Sequence, residues 1–113
     1  MKDNFPFKQN KNIIHLNDEP YFNTDFSDCI VVTYYTIEPY AGSGDMVIIK
    51  NNGVYTHDMG HCSCYGPDDH LDMSNEPEYT LDYFIDVYTK NTTIETYVEI
   101  RKTLIKLRER GII

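Results

Sequence analysis

The run His57-Asp58-Met59-Gly60-His61-Cys62-Ser63-Cys64-Tyr65-Gly66-Pro67-Asp68-Asp69-His70 puts three histidines, two cysteines and three aspartates into fourteen residues. Neutral imidazole and thiolate are the ligands zinc prefers, so His57, His61, Cys62, Cys64 and His70 form a candidate metal set, with zinc the cofactor it would imply. Structural zinc sites commonly place two to four residues between their cysteines. Cys62 and Cys64 have only Ser63 between them, and in an extended loop that aims the two thiols to opposite sides. A nucleophilic reading is weaker. His61 is adjacent to Cys62 rather than across from it, the surrounding acids would raise a thiol, and no orienting third group or oxyanion donor can be named. A Cys62 to Cys64 disulfide would close a strained small ring. Asp68, Asp69 and Asp72 could attract Ca²⁺ or Mg²⁺, but they lack the regular oxygen-ligand spacing of an EF-hand. The alternative without metal is a tight turn bracketed by Gly60, Gly66 and Pro67, with the cysteines packed as small hydrophobes. Zinc and a structural turn both stay open, and with no catalytic constellation the chain is expected not to be an enzyme.

The elements that must position this loop follow from the rest of the chain. At 113 residues and 41% hydrophobic it fits one domain spanning residues 1–113. Residues 1–28 read as an irregular segment in which only Asn12 to Leu16 could form a short strand. From Cys29 to Ile37 the run CIVVTYYTI has the β-branched and aromatic composition of a strand. Pro39 ends it and Ala41-Gly42-Ser43-Gly44 reads as a flexible turn. Met46 to Lys50 and Val54 to Asp58 flank Asn51-Asn52-Gly53, a hairpin signal. With Asn52-Gly53 as the turn, Lys50 faces Tyr55 and Ile48 faces His57, which puts a half-buried His57 on one sheet face with Met46, Ile48, Tyr55 and Met59.

The expected fold is therefore α+β: a three-stranded antiparallel meander over residues 29–59, the Cys/His and acidic loop over 60–79, and two C-terminal helices over 80–110. Thr80 is the expected N-cap of the first helix, with Leu81, Phe84, Ile85 and Tyr88 as its apolar stripe. Thr92 and Glu95 have capping-box spacing for the second, whose apolar face would be Ile94, Tyr97, Val98, Leu104 and Ile105.

Charge narrows the functions. The net charge is −8, and from Asn12 to Thr89 the single base Lys50 stands against 14 acids. From Lys90 onward six bases outnumber three acids, as suits the negative end of a terminal helix dipole. An acidic body repels nucleic acid directly and attracts basic proteins or cations. No apolar run approaches the about 20 residues of a membrane span, and the start MKDNFPFKQNKN carries no apolar segment of signal-peptide length. Three cysteines cannot all pair internally. These features predict a soluble, cytoplasmic protein with free thiols or a metal. Ten tyrosines and five phenylalanines suit a core or an interface, and a homodimer stays open.

Gly60-His61-Cys62-Ser63-Cys64-Tyr65-Gly66-Pro67, after a hairpin and before a Thr-Leu helix start, resembles small uncharacterised proteins encoded by bacteriophages and mobile elements of AT-rich bacteria. The likeness runs from about Cys29 to Tyr88. It implies provenance, action in a host cytoplasm and no particular chemistry. A small acidic protein of that kind resembles the accessory inhibitors of bacterial defence, anti-CRISPR proteins among them. The expected partner is a basic bacterial nucleic-acid-handling protein or nucleoprotein complex. Its contact strip would be Asp68, Asp69, Asp72, Glu76, Glu78, Asp82 and Asp86, carboxylates occupying a groove built for phosphates. The alternatives are a zinc module built on the loop and a nucleotide sponge with a Tyr-lined cleft.

Overall fold

The computed structural model describes residues 12–62 and 66–113. Its centre is a hairpin whose first strand can be buried on both faces. β2 (Ile30–Glu38) pairs antiparallel with β3 (Ala41–Lys50), and β3 with β4 (Gly53–Asp58). That much is the expected meander, but the three-stranded antiparallel sheet is overturned by what is added to it. β1 (Ile13–His15) lies parallel to β2, with Ile13 opposite Val31 and His15 opposite Thr33. β5 (His61–Cys62) pairs with the start of β3, and β6 (Tyr79–Thr80) with the start of β4. The sheet is mixed, ordered β1-β2-β3-β4-β6, with β5 on the same edge of β3 as β4. The Met59 amide donates to Gly44 O and keeps the register across the break, so β5 continues β4.

Two turns differ from expectation for local reasons. Glu38 pairs with Ala41, so Pro39-Tyr40 is the turn and the glycines of residues 41–44 lie inside β3. A Cβ on Gly42 would stand 1.9 Å from Tyr35 Oη, which shows why: the Tyr35 ring crosses β3 there. The second hairpin turns at Asn51-Asn52, both left-handed at φ 51° and 66°, the type I′ geometry that Asn tolerates. Lys50 therefore faces Gly53, Ile48 faces Tyr55 and Met46 faces His57. The register moves by two residues, so the period-2 alternation keeps His57 on the face expected for it.

Helices cover one face of the sheet. α1 (Leu81–Tyr83) begins at an N-cap in which Tyr83 N donates to Thr80 Oγ1 at 3.3 Å, and it continues as a π-helical turn, Phe84–Tyr88. Thr89 closes that turn by donating both N–H and Oγ1–H to Phe84 O. α2 (Glu95–Glu109) starts later than expected, because Thr92 Oγ1 accepts from Ile94 N instead of capping the helix. Its buried residues are Ile100, Thr103, Leu104 and Leu107, whereas Ile94 is exposed. Leu81, Phe84, Ile85, Ile100, Leu104 and Leu107 pack on Ile14, Val32, Val47, Ile49 and Val54.

The opposite face is covered by chain without regular structure. Phe26 and Cys29, with the partly buried Phe22, Leu71 and Met73, lie over Val31, Tyr35, Met46, Ile48 and Met59. Residues that alternate across the sheet are thus buried on both sides, and β2 reads as a continuous apolar run rather than an alternating one. Among the described residues no helix is long and apolar enough to cross a membrane.

Candidate functional site

β4 and its continuation β5 place His57, Met59 and His61 at alternate positions on the irregularly covered face. His57 is half-buried and its Nε2 lies 3.0 Å from Pro67 O, so that nitrogen carries the proton and donates. His61 Nε2 hydrogen-bonds the hydroxyl of Tyr35, and the two rings stack at 5.9 Å with 10° between planes. Burial, then the nearby carboxylates of Asp18 and Glu38, push the Tyr35 phenol above its ordinary range. Tyr35 is therefore a neutral partner for the imidazole. This contact is not legible in the sequence because it requires the bare backbone of Gly42.

Of the five candidate metal ligands, three histidine side chains lie among the described residues. His57 and His61 share a face, His70 is an exposed residue of the following turn, Cys62 enters only through its backbone pairing with Ala41, and Cys64 lies outside the described residues. Among the described residues no three His, Cys, Asp or Glu side chains come together as a group able to hold an ion.

The acidic strip divides into carboxylates with different tasks. Asp68 does not belong to an exposed surface: it is 4% exposed and accepts from Thr24 N at 2.7 Å, Thr24 Oγ1 at 2.5 Å and Asn23 N at 3.0 Å. It staples the irregular covering segment to the loop. Asp69 accepts from Gly66 N at 2.6 Å, and Asp72 accepts from Ser74 N and Oγ, which holds its carboxyl below the usual range. Glu78 takes Thr56 N at 2.6 Å and Thr56 Oγ1 at 2.8 Å, completing the outer edge of β4 where β6 stops. Asp82 and Asp86 both meet Arg108, at 3.0 and 2.9 Å, and the guanidinium lowers the Asp86 carboxyl. Asp69, Asp72, Glu76 and Glu78 are exposed residues without a basic partner among the described ion pairs.

Two other features, a tyrosine cluster and a cavity, could take a small molecule. Tyr79 stacks on Tyr88 at 4.5 Å and on Tyr83 at 6.1 Å, a cluster in which Tyr83 and Tyr88 remain exposed. The hydrogen bond that the Tyr79 hydroxyl donates to Tyr88, followed by burial, pushes Tyr79 up to about 12. A cavity of about 480 Å³ opens between Asp28, Cys29, Asn52, Leu81 and Ile112. Burial, with Asp28 accepting its S–H, pushes the Cys29 thiol up to about 11, far from a thiolate nucleophile.

No protein-family model matches the chain, and comparison with curated proteins and with solved structures finds no similar protein.

Proposed function

We propose that the protein is a non-enzymatic, phage-type acidic accessory protein that binds and inhibits a basic bacterial nucleic-acid-handling protein, such as a CRISPR-Cas nuclease. The observation supporting this reading is the placement of charge. The sole base between Asn12 and Thr89, Lys50, is held by Asp28 at 3.2 Å, while Asp69, Asp72, Glu76 and Glu78 follow one another on exposed chain. Carboxylates so arranged suit a groove that binds phosphates, and their field would speed encounter with it.

The test is binding and inhibition against purified CRISPR effector nucleases, restriction endonucleases and recombination nucleases, with duplex DNA as competitor. The expected result is salt-sensitive binding to a panel member, displaced by DNA and lost in Asp69→Lys/Asp72→Lys/Glu76→Lys. Asp68 is left intact because its carboxylate holds the fold. Binding unchanged by the triple reversal, or absent across the panel, would sink the proposal.

A second reading, a zinc module ordered by His61, Cys62, Cys64 and either His57 or His70, draws on the clustering of those residues within fourteen positions of the chain. Elemental analysis of freshly purified wild type and Cys62→Ser/Cys64→Ser decides it: near-stoichiometric zinc lost in the variant supports a site, and no metal in either ends it.

A further inference from the structure

The β2–β3 turn breaks a local rule with no packing gain in return. Pro39 fixes its own φ at about −65°, and Tyr40 follows at φ 60°. That is the sign pattern of a type II turn, whose third residue is ordinarily Gly. Left-handed backbone is disfavoured for a bulky L-residue. Burial could offset this, yet Tyr40 is 86% exposed and Ile37 beside it 60% exposed. Strain kept where the fold gains nothing from it points to use outside the fold.

The turn also lies several residues beyond the hydrogen bond between the hairpin and α2. Thr96, in the first turn of α2, hydrogen-bonds Asp45, which pairs with Tyr34. The hairpin continues past that point for four residue pairs, Tyr35 with Gly44 through Glu38 with Ala41, or about 13 Å of strand. Ile37, Gly42 and His61 lie abreast across β2, β3 and β5. Carboxylates surround this end: Asp18 accepts from Ile37 N at 2.8 Å, and Asp18 and Glu38 both act on the Tyr35 phenol. Lys50 sits at the opposite end of β3.

We propose that the Ile37–Tyr40 turn is the anchor of the interface, Tyr40 entering an apolar cleft rimmed by Arg or Lys side chains on the basic partner, with Asp18 and Glu38 meeting the rim. A rigid aromatic that buries area at small entropic cost, next to carboxylates, suits such a cleft, because a guanidinium can stack on the ring while pairing with the acid. This inference rests on the binding function proposed above.

The experiment uses Tyr40→Asn and Ile37→Ser in the full chain, with thermal melting and binding to the same nuclease panel. Asn enters the left-handed region readily, so Tyr40→Asn is expected to melt about 3 °C higher than wild type, while losing more than about 30-fold in affinity. Ile37→Ser is expected to weaken binding with its melt nearly unchanged. An unchanged or lower melt for Tyr40→Asn removes the strain on which the inference stands and overturns it. If wild type binds a panel member and both variants bind within twofold, the anchor is refuted while the inhibitor function survives. If wild type binds no member, the proposed function falls and the anchor falls with it.

Discussion

Replacing Asp68 separates a carboxylate that holds the fold from carboxylates that face solvent. Three donors converge on it, Thr24 N, Thr24 Oγ1 and Asn23 N, and the residue is 4% exposed. Hydrogen bonds to a charged group are worth about 1.5–3 kcal/mol each, but the sum over three would overshoot. Asn23 and Thr24 are exposed residues, so water can reach part of what the carboxylate leaves behind. The loss for Asp68→Ala is therefore about 2–3 kcal/mol, and for Asp68→Asn, which keeps one acceptor oxygen, about 1–2 kcal/mol. Urea denaturation measures both, and hydrogen exchange at the Asn23 and Thr24 amides locates the effect. Asp69→Asn, on exposed chain one residue on, serves as the control and should cost less than about 0.5 kcal/mol. A loss below about 0.5 kcal/mol for Asp68→Ala, or unchanged protection at Asn23 and Thr24, would refute the staple.

Three further perturbations read other parts of the fold. Gly42→Ala would place a Cβ 2.5 Å from Tyr35 Cζ and 2.8 Å from His61 Nε2, and it should destabilise by about 1–3 kcal/mol. The same change in a Tyr35→Ala background should cost little, and additive losses in the double-mutant cycle would contradict the crossing of ring over strand. Cys29 is raised from 9.0 to about 11, chiefly by burial, and Tyr97 from 10.0 to about 12 for the same reason. Both give up protons more readily unfolded, so stability should hold up to about pH 9 and fall as pH rises through the range of the folded values, followed by urea midpoints and tyrosinate absorbance. A flat profile to pH 11 would exclude it. Arg108→Gln removes the cation shared by Asp82 and Asp86, and the melting temperature should drop slightly at low salt and not at high salt. Since Asp86 is lowered by Arg108, that contribution is present above its ordinary 3.8 and lost as pH falls below it. A salt-independent drop would point to packing instead.

What could be read from the sequence was what neighbours in the chain decide. The run Cys29 to Ile37 reads as a strand because its β-branched and aromatic side chains suit a pleated surface, and the strand observed is Ile30–Glu38; Thr80 caps because its hydroxyl reaches the amide three residues on. The hairpin at residues 51–53 was legible as a hairpin but not in its register, since Asn51 tolerates left-handed backbone as well as Asn52 does. The glycines of residues 41–44 resemble a flexible turn until the Tyr35 ring is laid across them; β1 falls within Asn12 to Leu16, the run able to form a short strand, whereas β5 is too short to show a period. Asp68 looks like any loop carboxylate, because the amides that bury it come from residues 44 and 45 positions earlier. The tip at Tyr40 left a local trace: a Tyr after Pro where a type II turn favours Gly.

Three of the bases, Arg101, Arg108 and Lys50, make contacts within the fold, and this bears on why the rest of the surface is acidic. Arg101 donates to Ile85 O, a carbonyl in the π-helical turn, and Arg108 bridges Asp82 and Asp86, so two residues of the basic tail dock α1 and its π-helical turn onto α2. Lys50 pairs with Asp28 beside the Asn51-Asn52 turn. Acidity needed only for solubility could be spread anywhere. Here Asp69 to Glu78 and the end of the β2–β3 hairpin carry carboxylates without a described basic partner, and the hairpin adds an exposed Tyr in a strained conformation. Solubility explains the charge but not the aromatic, because an exposed Tyr40 lowers solubility and its backbone lowers stability. A partner contact accounts for charge, exposure and strain together, and for that reason Tyr40→Asn, which should raise stability and abolish binding in one substitution, discriminates between the two.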